Sequence, residues 1–112
     1  MKDIVGIWRL LEAPSRDQDG TPMAPSYGPK PMGIVTFNAE GRMACVLIDG
    51  RAEVPQEEGA REYTSYCGRY TIEGSTLVTK VDAANDPSRM VDQVRSFRFE
   101  GERLVLTPPP RP

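Results

Sequence analysis

Apolar and β-favouring residues recur along this chain in short runs, separated by turn residues at nearly even spacing. The first run, residues 3–13 (DIVGIWRLLEA), reads as a strand that is apolar on both faces. Ile4, Gly6, Trp8 and Leu10 point one way, and Val5, Ile7, Arg9 and Leu11 the other. A period of two then returns in pairs. Residues 32–38 and 42–49 flank Asn38-Ala39-Glu40-Gly41, residues 66–72 and 76–82 flank Glu73-Gly74, and residues 93–99 and 102–107 flank Glu100-Gly101. Each pair, with its glycine-containing turn, predicts a β-hairpin.

The alternation also assigns faces. Gly33, Val35 and Phe37 align with one another, as do Met43, Cys45 and Leu47, and both sets are expected inside. Gly68, Tyr70 and Ile72 share a face, as do Leu77, Thr79 and Val81. In the last hairpin Arg95, Phe97 and Phe99 align, with Leu104 and Leu106 facing them. Ala44, Val46 and Ile48 are left outside, which is apolar for a surface and suits a partner subunit.

Between these runs, residues 14–31 are rich in Pro, Gly, Asp and Ser and predict a long loop without regular structure. Met23 and Tyr27 are its candidates for covering a cavity. Pro55 followed by three acidic or amide residues, with Glu57 and Arg61 spaced i,i+4, predicts one short helix at 56–64, weakened by Gly59. Residues 83–89 read as a loop. The expected unit is a single all-β domain over residues 1–108 with a proline-rich tail at 109–112. Seven or eight antiparallel strands in sequence close, or nearly close, into an up-and-down barrel, because closure removes the exposed edges.

Composition narrows the chemistry. A net charge of −2 favours neither nucleic acid nor an anionic membrane. No run of about 18 apolar residues is present, and the acid at Asp3 speaks against a signal peptide, so a cytoplasmic location is expected. Histidine is absent, which removes the commonest general base, the commonest zinc ligand and every Ser-His or Cys-His pair. No pair or cluster of carboxylates has the look of an acid–base couple or a metal cage, so neither catalytic residues nor a cofactor nor a metal is implied. Cys45 and Cys67 are expected as reduced thiols, able to face each other if their strands pair.

An ordered set of residues resembles the bacterial lipocalin-like domain proteins. It comprises Gly6-Ile7-Trp8, Gly28-Pro29, residues 33–37 with Asn38-Ala39-Glu40-Gly41 and Met43, then Tyr66, Gly68 and Tyr70. It continues with Val94-Arg95, Phe97, Glu100-Gly101 and residues 103–109. The resemblance covers nearly the whole chain and implies an up-and-down lipocalin-like barrel with a central cavity. Family members often carry histidines where this chain has Thr79-Lys80, so chemistry that uses them is not carried over.

The expected function is to hold a small hydrophobic molecule, with a carboxylate if Arg95 is its polar anchor. The expected walls are Val35, Phe37, Met43, Leu47, Tyr70, Leu77, Phe97 and Leu106. Gly6 and Trp8 are expected to be structural. Arg95 or Arg103 caps Trp8 if it follows the resemblance, and Arg95 grips an anionic head group in the alternative. Two rival classes stand beside this one. The first is a cyclase or isomerase in which Tyr70 and Arg95 polarise an oxygen, a reading that a tyrosine titrating well below about 10 would favour. The second is a filled barrel acting as an interaction module. A homodimer suits all three.

Overall fold

The computed structural model describes residues 3–16 and 19–108; the predicted tail, 109–112, lies outside them. Nine strands form: β1 (Gly6–Arg9), β2 (Ser15–Arg16), β3 (Pro22–Met23), β4 (Pro31–Phe37), β5 (Arg42–Asp49), β6 (Tyr63–Glu73), β7 (Thr76–Ala84), β8 (Gln93–Glu100) and β9 (Arg103–Thr107). Seven of them make one antiparallel sheet in the order β1-β4-β5-β6-β7-β8-β9. The sheet curls into a nearly closed lipocalin-like barrel. β1 and β9 are its two edges and are not hydrogen-bonded to each other, so the barrel keeps a seam.

All three predicted hairpins are present in the expected order. Their faces follow the alternation: Phe37, Met43, Cys45, Leu77 and Thr79 are buried, whereas Ala44 and Val46 are exposed. The core is small. Ile4, Phe37, Met43, Cys45 and Leu77 are its fully buried apolar members among the described residues.

Five expectations change. The loop expected at 83–89 is shortened, because β7 runs on to Ala84 and Pro87–Arg89 form a 3-10 turn. The first strand is shorter than residues 3–13, because its ladder follows β4 only from Gly6↔Phe37 to Arg9↔Ile34, with one further bond from Leu10 N–H to the Gly33 carbonyl. The long loop is not wholly irregular, since Ser15 pairs with Met23 and Arg16 with Pro22; a proline is tolerated in so short an edge pair. The helix at 56–64 is reduced to a 3-10 turn, Gln56–Glu58. Gly59 leaves it at φ 83°, and Arg61 bonds the carbonyls of Asp49, Arg51 and Ala52 instead of continuing a helical face. Finally, β5 and β6 do pair, but Cys45 lies opposite Tyr66 and Cys67 opposite Ala44. Neighbouring positions on a strand point to opposite faces, so Cys45 is inside, Cys67 is not, and both thiols are free.

Candidate functional site

Seven strands that do not quite close leave the inside of the sheet unevenly covered. Phe37, Met43 and Leu77, three of the expected wall residues, form a packed floor with Ile4 and Cys45. Val35, Tyr70, Phe97 and Leu106 pack on that floor but stay partly open, as does Leu47. Tyr66, Phe99 and Leu104 are half-buried against the same core.

Arg95 is a charged group on this inner face. The β7–β8 ladder places it opposite Leu77, and its neighbours on the same face are Gln93 and Phe97. Its Nη1 donates to the Val94 carbonyl at 2.7 Å and its Nη2 to Gln93 Oε1 at 2.9 Å. Among the described residues it forms no ion pair with a carboxylate. Its positive charge acts instead on Cys45 and Tyr66, favouring their ionised forms. Burial outweighs that pull at both sites and pushes the Cys45 thiol and the Tyr66 phenol up, so both stay protonated near neutral pH. Cys45 and Tyr66, with Ser65, Cys67, Ala83, Ala84 and Asn85, line an open cavity of about 350 Å³. It lies where the β6–β7 register shifts between Cys67 and Gly68.

Tyr70 does not present its hydroxyl to this space. The group donates to the Asn38 carbonyl at 2.7 Å, and its ring stands edge-on to Phe37 with centroids 5.2 Å apart. Desolvation raises its pKa, the opposite direction to the one that would favour the isomerase alternative. The Trp8 indole N–H donates to the Ile4 carbonyl at 2.7 Å, and the ring found against it is Phe99, at 6.2 Å. Arg103 is exposed and lies across the ladder from Glu100. Of the two loop candidates, Tyr27 reaches the barrel and donates to the buried Thr64 hydroxyl at 2.8 Å, while Met23 is exposed.

A polar cluster went unread in the sequence. Asp49, 3% exposed, receives Arg51 Nη2 at 2.6 Å, and the same nitrogen reaches Glu58 Oε1 at 2.8 Å. The Arg51 guanidinium holds the Asp49 and Glu58 carboxyls below the usual carboxylate range. The signal was available: Asp49 continues the inward parity of Met43, Cys45 and Leu47, and an inward acid requires a partner. Among the described residues no group of three or more Cys, Asp or Glu could hold a metal ion, and no helix is long and apolar enough to cross a membrane.

A family model described as a lipocalin-like domain matches residues 5–111. No curated protein and no solved structure shows a significant match.

Proposed function

The chain belongs to the lipocalin-like domain family, and from that premise we propose that its barrel holds one small, mostly apolar molecule bearing an acidic group seated on Arg95. The observation that supports this reading is Arg95 itself. It is a guanidinium on the inner face, among half-buried aromatic and aliphatic side chains, with a carbonyl and an amide as its partners among the described residues. Such a cation is incompletely satisfied, and its planar fork matches a carboxylate. Val35, Leu47, Tyr66 and Phe97 would contact the apolar body, over the floor made by Phe37, Met43 and Leu77. Covering about 200 Å² of apolar ligand surface is worth roughly 5 kcal/mol, and micromolar affinity, about 8 kcal/mol, asks about 3 kcal/mol more of the ion pair.

The test is calorimetric titration with a panel of fatty and aromatic acids, each beside its primary amide. Acids are expected to bind at least tenfold tighter than their amides, with that preference abolished in Arg95→Gln. Equal binding of acid and amide, or a clean apo mass from the native host together with no binding across the panel, overturns the reading.

This reading includes a homodimer. The outer faces of β1, β4 and β5 carry Ile7, Met32, Ile34 and Val46, all about half exposed or more, with Ile34 directly opposite Val46. An apolar patch of this kind is complementary to its own copy about a two-fold axis. The cytoplasm is the compartment that suits the two free thiols.

A further inference from the structure

The seam between the two sheet edges carries a second cavity, about 240 Å³ in volume, lined by Asp3, Trp8, Phe99 and Glu102. Its position follows from topology. Trp8 comes from the edge strand β1, Phe99 from β8, Asp3 from the segment entering β1, and Glu102 from the β8–β9 turn. Phe99 lies four residues beyond Arg95 on β8, roughly 13 Å along the strand, so this cleft and the Arg95 seat are separate places.

The chemistry of the lining is the reverse of that around Arg95. The Trp8 and Phe99 rings stand 6.2 Å apart, inclined at 43°, and wall the cleft. The indole N–H is already taken by the Ile4 carbonyl, so Trp8 offers its π-face and no donor for an anion. One Asp3 oxygen accepts the Val5 N–H, and neither Asp3 nor Glu102 is in an ion pair among the described residues. Among the described residues no Lys or Arg lines the space. Two aromatic rings and two carboxylates around a pocket of this size form a site for an alkylated cation. The rings take its polarised methyl or methylene shell, and the acids take its charge. Two acids between aromatic walls lack the oxygen ligands that a bare divalent ion demands. We propose that the seam cleft binds a small organic cation of the alkylammonium class.

Trp8 is the only tryptophan, so its emission reports on this cleft directly. The experiment titrates the full chain with choline and, in parallel, with 3,3-dimethyl-1-butanol, which replaces the ammonium nitrogen by carbon. Choline is expected to change Trp8 emission saturably with a low-millimolar dissociation constant, and the alcohol to bind at least about fivefold more weakly. Asp3→Asn and Glu102→Gln, both at exposed positions, should each weaken choline severalfold and leave the far-ultraviolet circular dichroism unchanged. The proposal is overturned by an equal response to the alcohol, by undiminished choline affinity in both variants, or by no saturable response to choline at about 100 mM.

Discussion

At Gly33 and Gly68 the missing side chain is what lets the sheet curl. A Cβ at Gly33 would run into the Val46 carbonyl oxygen on β5, and one at Gly68 into the Lys80 carbonyl oxygen on β7. Both obstacles are backbone, which cannot turn aside as a side chain does. Gly33→Ala and Gly68→Ala are therefore each expected to cost about 3 kcal/mol in urea unfolding, at the upper end for overpacking; a cost below about 1 kcal/mol would refute the close-approach argument. Both glycines take the face that the alternation of their strands assigns them. The space they leave is occupied by the neighbouring strand. Gly6 meets nothing within 4 Å and has its own reason to be glycine, a φ of 141°.

The segment from Gly50 to Glu62 is held as an element by charge instead of by helix formation. Arg51 bridges Asp49 and Glu58, and Arg61 ties down three carbonyls of the same stretch. The predicted Glu57–Arg61 helical pair is not formed, because the turn ends at Glu58 with Gly59 at φ 83° and Arg61 instead satisfies three carbonyls at once. The pH dependence follows. The folded Asp49 and Glu58 carboxyls titrate below their unfolded values, so the native state binds fewer protons in acid. Their stabilisation is complete above the unfolded carboxylate range, near pH 4, and is lost as pH falls through the lower folded values. Asp49→Asn should lower the urea midpoint at about pH 7 and reduce the loss between about pH 5 and pH 3 relative to the parent chain. An unchanged acid limb would show that these pairs do not govern acid stability. The buried acid was legible from strand parity; its partner was not, because nothing in the spacing of Glu58 says that a turn will bring it to Arg51.

For the whole molecule, the consequence of seven strands is a sheet with two uncovered aspects: a half-open interior and an apolar outer band. If the outer band pairs with itself, the chain should run at twice its monomer mass in light scattering at about 100 µM, and Ile34→Glu with Val46→Glu should return it to monomer. A monomer at that concentration would remove the dimer from the proposed function without touching the Arg95 seat, which lies on the opposite face of the sheet.

The sequence by itself determined the seven strands of the main sheet, the three hairpins among them, the inward and outward faces, and the family. All of these are local, since strand alternation and turn glycines act over a few residues and each hairpin sets its own register. It also placed Arg95, Phe97 and Phe99 on one inner face. Only the tertiary structure decided how far the sheet closes, because that depends on the curl accumulated over all seven strands. The same accumulated curl decided which groups meet across it. Phe99 lies against Trp8, where an arginine was the expected neighbour, Tyr70 is committed to the Asn38 carbonyl, and Tyr66 comes under the charge of Arg95. Those contacts join residues tens of positions apart, and a period of two carries no information about which distant strand ends will touch.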